Sequence, residues 1–260
     1  MPPSYAHASY GHVVTTLRSA GCVFAEDEAR LILSSARTPA ELASVLDRRA
    51  AGQPLEHVLG WAEFSGLRIA VEPGVFVPRR RTEFLVRQAV ALASDTPVVV
   101  DLCCGSGAVG AALVASLPGA ELHAADIDPA AVRCARRNVG VRGHVYEGDL
   151  FEPLPRGLRG RVAVLAANVP YVPTEEVGLL PPEARDHEPL VALDGGGDGL
   201  DVLRRVAVEA PRWLAPGGSL LVETSERQAD RAVAVFAAAG LRARLEVSEE
   251  LYANVVIGTR

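Results

Sequence analysis

The chain predicts an α/β protein with a mostly parallel sheet, preceded by a small helical unit. Seven strand-like runs carry this expectation: Val98–Val100, Leu122–Ala125, His144–Tyr146, Val162–Ala167, Ser219–Val222, Ala243–Val247 and Asn254–Ile257. Helical stretches near 82–94, 108–117, 129–139, 199–214 and 227–239 separate most of them. Strands alternating with helices make βαβ units, which close into a parallel sheet. The last two runs are joined by a connection too short for a crossover helix, so one of them is expected to be antiparallel.

Residues 10 to 52 read as helices. Val13, Val14 and Leu17, then Ala29, Leu31, Ile32 and Leu33, carry the apolar faces. Thr38-Pro39-Ala40-Glu41 is a helix start, with Thr as N-cap, Pro at the first helical position and Glu three residues after the cap. From Trp61 to Val77, extended runs split by Ser65-Gly66 and Pro73-Gly74 read as a β-hairpin. The expected organisation is therefore a helical unit over 1–60, a hairpin linker over 61–77 and a catalytic domain over 78–260. The stretch from Pro173 to Asp198 is rich in Pro, Gly and acids, and reads as a substrate loop or lid.

A net charge of −6 argues against a dedicated nucleic-acid binder, which needs a concentrated basic face. Arg79-Arg80-Arg81 and Arg133 with Arg136-Arg137 are the local clusters able to meet an anion. Met1-Pro2-Pro3-Ser4-Tyr5 lacks the order of a signal peptide and no run is long enough to span a membrane, so the expected setting is cytoplasmic. Cys22, Cys103, Cys104 and Cys134 show no disulfide or metal spacing, which fits reduced thiols. Cys103 and Cys104 read as packing residues rather than nucleophiles.

Asn168-Val169-Pro170-Tyr171 ends the apolar run Val162–Ala167, at a strand's C-terminal tip where open α/β sheets present ligands. The Asn168 carboxamide oxygen and the Val169 carbonyl can each accept one N–H of an NH2 group, turning its lone pair toward an electrophile. Pro170 biases Val169 to an extended backbone, and Tyr171 can close over a flat group. Asp101-Leu102-Cys103-Cys104-Gly105-Ser106-Gly107 then opens a helix, and its glycines let backbone approach a ligand. Gly105, Gly107 and Gly110 also satisfy the dinucleotide pattern, with Asp126 about twenty residues on. The carboxylate of Asp101 just before the loop would repel a pyrophosphate, and suits the ammonium of S-adenosylmethionine instead. Asp126 then grips a ribose diol, Asp149 accepts an adenine amino group, and Asp128 N-caps the next helix before Pro129. Cys103, Ile127 and Leu150, neighbours of these groups, complete the expected cofactor set with Asp101, Gly105, Gly107, Asp126, Asp149 and Asn168.

On these motifs the chain resembles the protein-(glutamine-N5) methyltransferases that modify peptide-chain release factors, within the class I S-adenosylmethionine-dependent methyltransferases. Gln53-Pro54-Leu55, Gly60 and Glu63–Leu67 look like that family's hairpin region. Phe76–Glu83 resembles its Pro-Arg-Pro-Glu-Thr-Glu segment, and Leu193–Gly196 with Asp198–Leu200 a stretch after its catalytic loop. The resemblance implies a Rossmann-like, mostly parallel seven-stranded sheet, a helical unit that helps hold a protein substrate, and methylation of a Gln side chain in a Gly-Gly-Gln motif. Val169 replaces a proline of the family's Asn-Pro-Pro-Tyr. Arg80 and Arg81 replace Pro and Glu, which is expected to make the cofactor's rim more basic.

No metal site and no strong base is expected; His187 with Asp186 and Glu188 reads as a solvated acidic turn. Three other readings remain: an N-methyltransferase acting on adenine in nucleic acid, a non-catalytic cofactor-binding module, and a dehydrogenase. An adenine enzyme must reach a flipped or single-stranded base, and the acidic balance and lack of a recognition insert weigh against it.

Overall fold

The computed structural model describes residues 5–94 and 96–260, with side chains from residue 10 onward, so the reading of the first four residues lies outside it. The chain begins with helices α1 (Tyr5–Ser19), α2 (Ala25–Ser35), α3 (Pro39–Ala50) and α4 (Leu55–Leu59). Val13, Leu17, Ala25, Ala29, Ile32 and Leu46 close a core of their own. Ala29 and Ile32 are buried, whereas Leu31 is exposed, because a 3.6-residue period cannot turn three consecutive side chains inward. The expected cap of α3 is present: the Thr38 hydroxyl accepts from Glu41 N–H at 3.1 Å, and the Glu41 carboxylate accepts from Arg37 N–H at 2.7 Å.

A hairpin follows, β1 (Trp61–Phe64) and β2 (Leu67–Ala70), with Ser65-Gly66 as its turn. The sequence expectation was too long. Pairing ends at Ala70, and 71–79 is an irregular segment leading into the site. Gln53, Pro54 and Leu55 belong to the approach and start of α4 rather than to the hairpin.

The larger unit comprises α5 (Glu83–Leu92), β3 (Val98–Leu102), α6 (Ala108–Ser116), β4 (Glu121–Asp126), α7 (Pro129–Val139), β5 (Gly143–Glu147) and β6 (Val162–Ala167). It continues with short helices α8 (Pro182–His187) and α9 (Leu190–Leu193), then α10 (Asp201–Trp213), β7 (Leu214–Thr224), α11 (Ala229–Ala238), β8 (Arg242–Ser248) and β9 (Ala253–Thr259). The seven strands lie in the order β5-β4-β3-β6-β7-β9-β8. All neighbours are parallel except β9, which runs antiparallel to both β7 and β8.

Successive strand residues supply opposite faces. Val99, Val164, Ala166 and Leu221 pack under α5 and α6, while Val100, Leu165, Ala167 and Val222 pack against α10 and α11. A central parallel strand buried on both sides reads as an unbroken apolar run, which is why β6 is legible to its ends. The order of strands reverses between β3 and β6, and that switch point opens a crevice at their C-terminal tips. None of the described helices is long and apolar enough to cross a membrane. The four cysteines are free.

Candidate active site

Strand tips and the loops behind them bound a cavity of about 570 Å3, within the size range of small-molecule sites. Asp101, Cys103, Gly105, Asp126, Ile127, Asp149 and Leu150 line one end, and Asn168, Val169, Pro170 and Tyr171 the other. Gly107 stands outside the lining. A Cβ there would lie 2.9 Å from the Ala135 Cα, so this glycine serves the contact between the turn and α7 rather than a ligand's approach. Gly105, in the left-handed region with open space around its Cβ position, is the one that faces the cavity.

The acids of the first end are held by nearby backbone. Asp101 is buried, and its Oδ2 accepts from Gly110 N–H at 2.8 Å. Burial chiefly, and the Asp126 charge as well, push its carboxyl up to about 7. Asp126 accepts from Gly105 N–H at 2.8 Å and from Asp128 N–H at 2.9 Å, and burial raises its pKa too. Asp128 caps α7 through Ala130 N–H, as its sequence context implies. Asp149 is salt-bridged to Arg205 of α10. Burial raises the thiols of Cys103 and Cys104, which keeps them protonated and unreactive.

At the second end an acid not singled out from sequence organises the site. Glu223, buried near the tip of β7, accepts from Arg81 Nε at 2.9 Å, Thr82 Oγ1 at 2.6 Å and Tyr171 Oη at 3.4 Å. Arg81 also donates to the Tyr171 hydroxyl at 2.6 Å. Burial, then the Glu223 charge, hold that phenol up to about 12, so it stays neutral. Asn168 Nδ2 donates to Thr82 Oγ1 at 3.5 Å. No backbone N–H among the described residues donates to the Val169 carbonyl. A signal for Glu223 existed: Leu220-Leu221-Val222-Glu223 is an apolar strand ending in a carboxylate, as at Asp101.

Two expectations about charge are corrected. Of Arg79-Arg80-Arg81, Arg79 pairs with Glu188 and Arg81 with Glu223, and only Arg80 is exposed without an ion pair among the described residues, so the rim is less basic than the three residues suggest. Nor does Glu188 lie in a solvated turn: its side chain is buried, taking Val77 N–H at 3.1 Å and the Arg79 guanidinium at 2.6 Å. The 173–198 stretch is not a plain loop. It carries a 3-10 turn (Thr174–Leu179), α8 and α9, and lines the cavity through Leu180, Pro181, Val191 and Leu193. Glu183 of α8 meets the buried Arg49 of α3, which also binds Glu28 of α2, so the N-terminal helices touch this cover directly.

The model of the methyltransferase small domain matches residues 66–175. A release factor glutamine methyltransferase of Geobacter sulfurreducens is 40% identical over 208 residues, covering 78% of this chain and 72% of that protein. One from Streptomyces coelicolor is 41% identical over 197 residues, covering 74% and 70%. The chain belongs to the release factor glutamine methyltransferase family. As in that family's namesakes, it is a methyltransferase, and S-adenosylmethionine is its methyl donor. The dehydrogenase reading of the glycine pattern is thereby overturned. A 4-amino-L-phenylalanine/4-methylamino-L-phenylalanine methyltransferase of Streptomyces pristinaespiralis is also 37% identical, over 74% of this chain and 68% of that protein. A crystal structure of a methyltransferase from Pyrococcus furiosus shares the fold, with TM-score 0.57 and 15% identity over 85% of this chain and 98% of that one.

The donor set of this family member fits the sulfonium cofactor. The arginines lining the cavity are Arg79, Arg81 and Arg205, each neutralised by an acid, whereas Asp101 and Asp126 are held by backbone N–H groups. Uncompensated charge at the glycine-turn end is therefore negative, as a cationic ligand requires.

Proposed function

We propose that this enzyme methylates the side-chain amide nitrogen of a protein glutamine, in a Gly-Gly-Gln segment of the release-factor type. The observation that carries the reading is the chemistry of the tetrapeptide after β6: a carboxamide, a carbonyl that no backbone N–H among the described residues engages, and a neutral phenol, with Arg79 and Arg81 already paired. A free amino acid such as 4-amino-L-phenylalanine brings a carboxylate, and among the described residues no cation lining the cavity is left unpaired to receive it. A glutamine within a chain brings no charge.

In this reading Asp101 meets the cofactor's ammonium, Asp126 its ribose, and Asp149 with Leu150 and Ile127 its adenine. Cys103 and Gly105 supply the wall of the turn. S-Adenosylmethionine supplies an electrophilic methyl on a cationic sulfur. The Asn168 oxygen and the Val169 carbonyl each accept one amide N–H of the acceptor, which fixes the nitrogen and raises its electron density. Pro170 holds that carbonyl's direction, and Tyr171 walls the planar group. With the cofactor bound, the nitrogen so held would take its methyl group in line, the sulfur leaving with the bonding pair. Its extra proton then leaves readily, because the methylated nitrogen is cationic, so positioning rather than a strong base carries the rate.

Helices α1 to α4, within residues 1–60, are the docking element for the protein acceptor in this reading, joined to the 173–198 cover by Arg49 and Glu183. An acceptor of the translation apparatus makes the cytoplasm the working compartment. Transfer of labelled methyl to a Gly-Gly-Gln protein, its Gln→Ala variant and free 4-amino-L-phenylalanine tests the proposal. We expect label on the first alone, and a fall of about 100- to 1,000-fold in kcat for Asn168→Ala. Labelling of the free amine without the protein would reverse the assignment.

A further inference from the structure

The buried acid beside the acceptor end does more than neutralise Arg81. We infer that Glu223 and Thr82 are positioning residues that decide which end of the Asn168 carboxamide faces the acceptor. The inference deepens the amide-clamp reading above and rests on it.

An asparagine side chain is nearly symmetric in shape but opposite in chemistry at its two ends, one a double donor and the other an acceptor. Reversing it would present NH2 to the acceptor's own NH2, and the clamp would repel what it should hold. Something must therefore choose the orientation. Thr82 and Glu223 are both buried, so water is not available to relax their choices. The Thr82 hydroxyl has one proton. Glu223, paired with Arg81 Nε at 2.9 Å, is a carboxylate and accepts only, and its Oε2 stands 2.6 Å from Thr82 Oγ1. The proton is thus committed to Glu223, and the lone pairs of Oγ1 are left for Asn168.

Asn168 Nδ2 lies 3.5 Å from that oxygen. The contact is long, of the kind that tightens when reactants assemble. Its polarity is set all the same: an oxygen at this position would face lone pairs. The amide's NH2 turns to Thr82, and Oδ1 is the end left for the acceptor. The same acid receives the Tyr171 hydroxyl at 3.4 Å, while Arg81 donates to it at 2.6 Å. One carboxylate on β7 therefore orders two members of the tetrapeptide after β6.

The sequence makes the test direct. Asparagine occurs at positions 138, 168 and 254 only, so protein labelled with 15N-asparagine shows three side-chain NH2 pairs, and Asn168→Ala identifies one of them. Thr82→Val and Glu223→Gln should each move the Asn168 pair, with Thr82→Ser leaving it near its original position. The Asn138 and Asn254 pairs, unchanged, report an intact fold. With a Gly-Gly-Gln protein as acceptor, Thr82→Val should lower kcat about 100-fold with the cofactor's Kd unchanged, and Thr82→Ser should recover most of it. Added to Asn168→Ala, Thr82→Val should cost nothing more. The inference is overturned if Thr82→Val leaves the Asn168 pair in place, or if it lowers kcat by the same factor with and without Asn168. Should the wild-type enzyme ignore the Gly-Gly-Gln protein, the acceptor assignment fails, while the NMR comparison still decides the orientation.

Discussion

The two ends of the cavity handle charge in opposite ways. At the glycine-turn end, Asp101 and Asp126 are steadied by backbone N–H groups within 21 residues of them in the chain, and no arginine bridges them among the described residues. At the acceptor end, Glu223 reaches Thr82 across 141 residues and Arg81 across 142, and Glu188 reaches Arg79 across 109. One end leaves negative charge for a cationic cofactor to balance. The other pairs Arg79 and Arg81 internally, so the tetrapeptide after β6 presents neutral hydrogen-bonding groups. In the proposed reading, the preference of one end for a cation and of the other for an uncharged amide would follow from where the counter-ions come from, not from how many charges are present.

The first way to break this contrast is Asp126→Asn. It removes a carboxylate that only the cofactor is proposed to use, and should weaken S-adenosylmethionine binding about 10- to 100-fold by calorimetry, the worth of one or two charge-assisted hydrogen bonds. Asn168→Ala should weaken that affinity far less, because Asn168 is expected to meet the cofactor only beside the transferred methyl. Equal losses in both variants would mean that the two ends are not separable.

Arg81→Met probes the self-balanced end. A carboxylate buried without its cation is costly, but Arg81 is nearly half exposed and two hydroxyls still donate to Glu223, so we expect a loss of about 1–2 kcal/mol in urea unfolding. No loss at all would show that the ion pair does not balance the acceptor end.

The smallest effect sharpens the comparison through pH. Asp101 has its carboxyl raised to about 7, chiefly by burial, and an ammonium held there as proposed would favour the charged form. Binding below that pH must expel a proton, so affinity should rise about tenfold from pH 6 to pH 8 and then level. Stability of the protein alone runs the other way. A folded pKa above the unfolded value stabilises fully below about 4, and that contribution is lost as pH rises through about 7. Asp101→Asn should flatten both slopes, and a cofactor affinity that does not vary over this range would remove Asp101 from the ammonium's site.

Legibility followed the range of the interactions. β6 could be read to its ends because burial on both faces demands an apolar run, and the cap at Thr38 because its partners are three and four residues away. Helix α4 was missed, being five residues long and too short for a periodic pattern. Glu188 was misread because its acidic neighbours suggest solvent, whereas Arg79 and the Val77 N–H arrive from elsewhere in the chain to bury it. Gly107 looked like a ligand contact, and only the position of Ala135 shows that it is a packing contact.

By itself the sequence determined the sheet, the glycine turn, the acids at successive strand tips and the tetrapeptide after β6. Each is specified by residues adjacent along one strand and its exit. The tertiary structure alone decided which charges remain available, that Glu223 governs Thr82 and Tyr171, and that the arginines at 79 and 81 are spent on internal partners. The physical reason is that a side chain's period and capping are local properties. The electrostatic value of a charge depends on what faces it, and those partners meet only once the chain has closed.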